Sequence, residues 1–448
     1  LPVPQGIIVS TDACVRYYQE EQVISKEILE EIDSKLTELE KVTNKQFGSK
    51  HNPLLVSVRS GARVSMPGMM DTILNLGLND EVMEGLYETM GITAYDSYRR
   101  LIQMFGEVAM GVDKKHFDLD METVLKKYNI ESDHDLTLEA LKDVIQKYKD
   151  TYLREVGTPF PNDPKEQLLL AVESVFKSWN TARAKYYRRM NDFSDDWGTA
   201  VNIQEMVFGN TGQDSATGVA FSRNPATGVD ELYGEFLYNA QGEDVVAGTH
   251  TPLPLDDLKN TMPELHEEFR KMSKDLEKHY HDMQDMEFTI EKGKLYILQT
   301  RSGKRTAQAA VKIAVDMVNE GVMSKEEAVN AVDVNVVDAL LHPQFDENVL
   351  KTIEPLASGL PASPGAASGV VAYTAQKAVE YFNLGRKVIL VRLETSPEDI
   401  EGMHVSTGIL TARGGMTSHA AVVARGMGKS CVVGCSGISF NEDGLAVI

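Results

Sequence analysis

Short apolar runs of strand character alternate along the chain with longer stretches in which apolar residues recur every three or four positions, and the order of these textures divides it. Residues 1 to about 80 combine the runs GIIVS and LLVSVRS with the charged segment KEILEEIDSKLTELEKV, whose Ile and Leu positions fall at helical spacing, so an α/β region is predicted. From about 81 to 160, EVMEGLYETMG, YDSYRRLIQMFGEVAMG and LEALKDVIQKYKDTYLREVG read as amphipathic helices with little strand signal, which predicts a helical insertion. Strand texture returns from about 197 in GTAVNIQEMVFG, GVAFSRNP and GEFLYN, and runs to a hairpin ending near Arg301. Residues 305 to 353 read as helical and connecting. LASGLPASPGAASG, rich in Pro, Gly, Ser and Ala, is the strongest boundary signal in the chain. Beyond it VVAY, KVILVR, GILTA and SCVVG alternate with short helices and predict a compact last domain.

Composition narrows the function. The chain has 448 residues, 42% apolar and 25% charged, the balance of a globular protein with two or three domains. A net charge of −22 disfavours non-specific nucleic-acid binding, so any anionic substrate has to be held by local basic groups. No apolar run reaches the roughly 18 residues of a membrane span, no signal peptide is evident, and the expected location is the cytoplasm. Three cysteines, Cys14, Cys431 and Cys435, have no paired spacing, which argues against a disulfide framework and structural zinc, and Cys431 and Cys435 read as core residues of a strand and its exit. The chain begins at Leu1, inside a predicted strand, and is expected to be a fragment.

Three segments carry candidate chemistry. In SVRSGARVSMPGMMDTILNLG, Arg59 leaves a strand for a loop containing Gly61, Pro67 and Gly68, where backbone amides can approach an anion and the guanidinium fork matches phosphate oxygens. Taken alone, such a loop is more often an ordinary surface turn with a paired arginine. In QDMEFTIEKGKLYILQTRSGKR, a three-residue turn at Lys292-Gly293-Lys294 pairs 291 with 295, and the same register sets Glu287 opposite Gln299 and Asp285 opposite Arg301. Those four then share one face, with Met286, Phe288, Ile290, Tyr296 and Leu298 on the other. The polar face suits magnesium beside substrate phosphates, or else is a solvated surface with one cross-strand ion pair. In GGMTSHAAVVARGMG, Thr417 or Ser418 caps a helix whose first turn contains His419. The helix dipole there favours a neutral imidazole and a nearby anion, which suits a nucleophile able to carry a phosphoryl group, and Arg425 is available for a phosphate oxygen. A histidine so placed is, by itself, more often a cap or a packed residue. His279 and His281, two apart on a predicted helix, do not share a face and make poor metal ligands.

Taken together the segments resemble one family. SVRSGARVSMPGMMDTILNLGLND, MEFTIEKGKLYILQTRSGKRTAQAA, GLPASPGAASG and LTARGGMTSHAAVVARGMGKSCVVG are similar in order and spacing to the pyruvate, phosphate dikinase family, across essentially the whole chain. The resemblance implies a multidomain α/β and α+β architecture. An ATP-grasp nucleotide-binding domain over 1–304 would hold the helical insertion at about 81–160. A helical connector over 305–354 and a hinge over 355–369 would lead to a swivelling β/β/α phosphohistidine domain over 370–448. His419 would take the β-phosphoryl of ATP, with the γ-phosphate passed to orthophosphate, and deliver it to pyruvate, giving phosphoenolpyruvate, AMP and pyrophosphate. Arg59, Gly68, Glu243, Asp244, Asp285, Glu287, Gln299 and Arg301 would line the ATP site, and Glu287 and Gln299 would hold the Mg2+ that accompanies ATP. Glu243 and Asp244, in NAQGEDVVAG, enter through the resemblance alone. Thr417 is the counterpart of a regulatory phosphorylation site in plant members.

Two family parts are expected outside this sequence: a Gly-Lys segment before Leu1, whose lysine meets the nucleotide phosphates, and a TIM barrel after Ile448, which takes pyruvate and makes the homodimer contact. The fragment is therefore expected to hold the ATP half-reaction only. A water dikinase shares the architecture and the histidine, although SMPGMMDT and GGMTSH look more like the phosphate-dependent enzyme. A non-catalytic phosphocarrier module is the reading from a different class, and retention of the acidic hairpin face argues against it.

Overall fold

The computed structural model describes residues 1–64, 66, 68–246, 252–334, 337, 353, 355–441 and 446–447. They fall into two units, one of Pro4–Val207 and one of Leu1–Val3 with Phe208–Ile448.

The first unit is built on β1 (Gly6–Val9), β4 (Val56–Ala62), β5 (Thr72–Leu76) and β6 (Thr199–Glu205), antiparallel in the order β1-β6-β4-β5, with Gln46–Phe47 (β2) and Pro53–Leu54 (β3) paired beside them. Val58 pairs with Ile203 on one side and Ile73 on the other, and this fully buried row of branched side chains fixes the register of three strands. The helix Pro164–Ser178 packs across β4, β5 and β6. It starts where Asp163 caps Lys165 and Pro164 takes the first helical position, which needs no backbone donor. Its buried Gln167 donates to the carbonyls of Leu78 and Pro161 at 2.9 and 2.8 Å and accepts from the Gly77 amide at 3.2 Å, which ties the exit of β5 to the helix. The expected helical region is present as Asp80–Met90, Ile92–Val108, Lys114–Tyr128 and Leu138–Val156, and helices continue through Pro164–Ser178 and Ala182–Met190 before strand returns.

The second unit holds two sheets. The first is antiparallel, in the order β11-β10-β7-β8-β9, from β7 (Ala216–Phe221), β8 (Tyr233–Tyr238), β9 (Leu253–Pro254), β10 (Gln284–Glu291) and β11 (Lys294–Ser302). Phe236, Met286, Phe288, Ile290, Leu295 and Ile297 cover one face and bury against Phe269, Met272 and Leu276 of the helix Pro263–Tyr280, with the Phe269 and Phe288 rings 4.7 Å apart. Arg223, after β7, is fully buried and clamped by two carboxylates: Nε and Nη2 donate to Glu277 at 3.0 and 2.9 Å, and Nη1 and Nη2 to Glu320 at 3.0 and 2.6 Å. This fastens the sheet to its covering helix and to the end of the helix Ala307–Asn319.

The hairpin corrects two details of the expected one. Its turn has two residues, Lys292 (φ 48°) and Gly293 (φ 74°), so Glu291 pairs with Lys294 rather than with Leu295. An irregularity after Glu287 then leaves Leu298 unpaired, and the expected pairs Glu287↔Gln299 and Asp285↔Arg301 are restored beyond it. Between turn and bulge the register differs by one residue, so Leu295 and Ile297, not Tyr296 and Leu298, join the buried core.

The second sheet runs β12-β16-β15-β14-β13, from β12 (Leu360–Ser363), β13 (Val370–Ala372), β14 (Val388–Arg392), β15 (Gly408–Thr411) and β16 (Ser430–Val433). β13 to β16 are parallel, in the manner of the near-continuous apolar runs VILVR, GILT and SCVV, and the helices Ala375–Asn383, Ile400–Val405 and His419–Gly426 form the crossovers. β12, inside the Pro/Gly-rich joint, pairs antiparallel with β16, so residues 360–363 belong to this sheet. The connector is described as Ala307–Asn319 and Lys325–Ala331, and residues 338–352 of it lie outside the described residues. The three cysteines are buried and unpaired. Among the described residues no helix is long and apolar enough to cross a membrane.

Both turn residues of the hairpin have positive φ, the conformation that favours Asn-Gly. Gly293 has no atom within 4 Å of an added Cβ. Gly293→Ala should therefore lower stability by the backbone term alone, about 1–2 kcal/mol, while Lys292→Asn should raise it; urea midpoints moving otherwise would contradict this turn.

Candidate active site

Strand register assembles a polar face on the first sheet of the second unit. Reading across β11, β10, β7 and β8, one row is Arg301, Asp285, Phe221 and Tyr233, and the next is Gln299, Glu287, Val219 and Glu235. The Arg301 guanidinium lies 3.4 Å from Asp285 and donates to Glu287 at 3.2 Å. Burial raises the pKa of Asp285 and Glu287 adds to it, while Arg301 works the other way. For Arg301, burial opposes the charge, but Asp285 and Glu287 outweigh it and hold its pKa up. Asp285 Oδ1 and Arg301 Nε are buried without a hydrogen-bond partner. The four residues expected on this face are thus brought together.

The histidine loop sits on the same face. Glu235 accepts from the Met416 amide at 3.0 Å and from Thr417 Oγ1 at 2.9 Å. A side chain on Gly415 would strike this carboxylate, and Gly414 has φ 100°, so the double glycine is required by close approach and by backbone conformation. Ser418 is the backbone N-cap of the helix His419–Gly426 but makes no side-chain cap. His419 occupies the first helical position, at the carboxyl end of the parallel strands. Its Nδ1 is 3.0 Å from Thr395 Oγ1, and its Nε2 is buried with no partner. Burial lowers its pKa to about 4, against the pull of Asp399 and Glu398, so the imidazole is neutral at physiological pH.

Other expected residues stand differently. Arg425 is buried rather than open: it donates to the carbonyls of Ala362 and Met416, lies 5.5 Å over the Phe221 ring, and keeps Nε without a partner. It lies on the side of its helix that meets the first sheet, where Phe221 of β7 covers it. Asp244 is buried and accepts from the Gln241 amide at 2.9 Å, closing the turn that opens the short helix Gly242–Val246. The side chain of Glu243 lies outside the described residues, as does Pro67. Arg59 is half-buried on β4, opposite Thr72 and Asn202, and Gly68 follows with φ 69°; both belong to the first unit. Glu235 and Thr395 escaped the sequence reading. The first was signalled by a charge inside the apolar strand YGEFLY, whereas nothing local to LETS signalled the second. Among the described residues no group of three or more His, Cys, Asp or Glu is arranged to hold a metal ion.

The depressed pKa has a definite sign for stability. The folded chain disfavours protonated His419, so this contribution is complete above pH 6.5, the ordinary value, and is lost as pH falls from there toward about 4. A histidine NMR titration, with His419→Asn to assign the resonance, should show this ring titrating near 4; a midpoint at or above 6 would contradict the buried neutral state.

Residues 20–255 and 256–322 match the family described as pyruvate phosphate dikinase, AMP/ATP-binding domain, and residues 384–448 match the PEP-utilising enzyme, mobile domain. The pyruvate, phosphate dikinase of Clostridium symbiosum is 56% identical over 446 residues, covering 99% of this chain and 51% of that protein. That of Rhizobium meliloti (strain 1021) is 52% identical over 456 residues, with 99% and 51% covered, and the chloroplastic enzyme of Flaveria trinervia is 52% identical over 444 residues, with 99% and 47% covered. The chain spans about half the length of the curated relatives it matches. With a nucleotide-binding family match over most of its length and a mobile-domain match around the buried histidine, the chain belongs to the pyruvate, phosphate dikinase family.

Proposed function

We propose that the chain performs the nucleotide half of a dikinase reaction, in which His419 takes the β-phosphoryl of ATP and the γ-phosphate passes to orthophosphate. The observation that carries this reading is the docking of the His419 loop, through Glu235, on the face that presents Asp285, Glu287, Gln299 and Arg301. A neutral imidazole with an unengaged ring nitrogen is the form able to attack phosphorus. Arg301 is suited to hold charge on the phosphate oxygens, and Arg59, with the glycine loop that contains Gly68, is suited to a second phosphate contact. Glu243 and Asp244 would complete the nucleotide site.

The donor set fits magnesium. Asp285 Oδ1 has no partner, and Glu287 and Gln299 are cross-strand neighbours that offer hard oxygen ligands. A Mg2+ carried on ATP needs only one or two protein oxygens beside the phosphates, so the lack of a three-residue cluster among the described residues is no obstacle. Glu287 and Gln299 would hold it, and when bound it would neutralise charge on the β- and γ-oxygens. Delivery to pyruvate would follow at a barrel beyond this sequence, in a homodimer, with a swivelling domain over 370–448 that carries β12 with it, releases Glu235 and turns about the part of the joint at 355–369 that precedes residue 360. Thr417, which Glu235 holds by its hydroxyl, is a candidate for regulatory phosphorylation.

Incubation with β-labelled ATP, magnesium and orthophosphate should give an acid-labile, base-stable phosphohistidine. His419→Asn should abolish it with folding and nucleotide binding retained, and labelled mutant protein would sink the assignment. Glu287→Gln should weaken magnesium-dependent labelling far more than it lowers the melting temperature; an unaltered magnesium dependence would remove Glu287 from the metal site. Labelling without need of orthophosphate would instead favour a water dikinase.

The swivel has its own test in a full-length protein carrying the barrel. Glu235→Cys with Thr417→Cys, oxidised to a verified cross-link, should permit labelling from ATP and block labelling from phosphoenolpyruvate. Survival of both half-reactions would refute the motion.

A further inference from the structure

We infer that Thr395 is the positioning residue for His419, holding the proton on Nδ1 so that Nε2 is the atom that accepts the phosphoryl group. The inference rests on the reading of His419 as the acceptor and names the residue that fixes the ring and its proton for that role.

Topology brings the two residues together. β14 and β15 are parallel neighbours, so the loops that leave their carboxyl ends, 393–399 and 412–418, lie side by side. The first loop is braced: Asp399 accepts from the Ser396 amide at 3.0 Å in a capping box and pairs with Arg392 of β14 at 3.3 Å. Thr395 sits immediately before this brace, with its Oγ1 3.0 Å from His419 Nδ1. Among the described residues it is the one hydrogen-bond partner of the ring.

A neutral imidazole carries one proton, and the two placements are not equivalent here. If the Thr395 hydroxyl donated to Nδ1, the proton would sit on Nε2, a buried N–H without an acceptor, which carries the full desolvation penalty of that group. With the proton on Nδ1, that N–H donates to Thr395 Oγ1 and the unengaged atom is a lone pair on Nε2. Buried donors are left orphaned more rarely than buried acceptors. The second placement is also the reactive one. The Nε2 lone pair forms the N–P bond as the bond from phosphorus to the leaving phosphate oxygen breaks and its electron pair stays on that oxygen. The ring takes up the positive charge, with Nδ1–H still donating to Thr395.

Two measurements separate this inference from the function it rests on. In protein labelled with 15N-histidine, two-bond couplings should show the His419 proton on Nδ1. Thr395→Val should move the ring toward the Nε2-protonated form, and Thr395→Ser should restore the wild-type pattern. Phosphoramidate, which phosphorylates histidine without a nucleotide, should give the Nε2 isomer on His419 in wild type and in Thr395→Ser. In Thr395→Val that product should form roughly tenfold or more slowly, the usual scale for losing the partner that orients a histidine. A wild-type ring protonated on Nε2, or a Thr395→Val ring unchanged in tautomer and rate, would overturn the inference. If ATP fails to label wild type while the tautomer and the phosphoramidate product come out as stated, the ATP-dependent reading falls and the role of Thr395 stands.

Discussion

The arrangement of the second unit depends on one carboxylate. Glu235 stands in the middle of a sheet, on a strand whose neighbours in sequence, Gly234 and Phe236, are buried, and a charge there is costly unless hydrogen-bonded. It is satisfied by an amide and a hydroxyl from residues 416 and 417, far along the chain. Charge-assisted bonds of this kind are about twice as strong as neutral ones, yet each partner is a group that water replaces readily. A contact so made is specific when closed and not prohibitive to open. An apolar interface of the same area would hold more tightly and open less readily, so the polar contact is the kind that suits the proposed swivel.

The parallel sheet supplies the complementary constraint. Because β13 to β16 follow one another in space as in sequence, their carboxyl-end loops form one edge, and the helix His419–Gly426 starts there. The same edge gathers Thr395, Asp399 and the glycine pair, so the histidine is oriented by its own sheet before any other surface meets it. Burial then does what the short helix would do only weakly: desolvation is the largest influence on the ring and keeps it neutral.

Much of this was legible in the sequence, and the failures have physical causes. The pairings of Asp285 with Arg301 and Glu287 with Gln299 were read correctly from a turn that was one residue too long, because the unpaired Leu298 compensates for the shorter turn. The polar face therefore survived an error that exchanged Leu295 and Ile297 for Tyr296 and Leu298 in the core. Arg425 was misjudged because spacing along a helix says which residues share a face but not what covers it. Thr395 was invisible for a related reason: its partner lies 24 residues away, joined only by the adjacency of two parallel strands. Glu235 was readable in kind, as a charge in an apolar strand, but not in partner.

Charge balance makes the hairpin face more than a collection of ligands. Asp285 and Glu287 bring two carboxylates against one guanidinium, in a chain that already carries −22, and burial makes Asp285 reluctant to ionise. A bare triphosphate would meet this face with repulsion. The same groups would become favourable beside a divalent cation carried with the phosphates: Asp285 and Glu287 would have their excess charge offset, and Arg301 would be free to turn from its two carboxylates to phosphate oxygens. In the proposed reaction the apparent mismatch of charge is thus a selection, admitting the nucleotide with its metal and opposing it without.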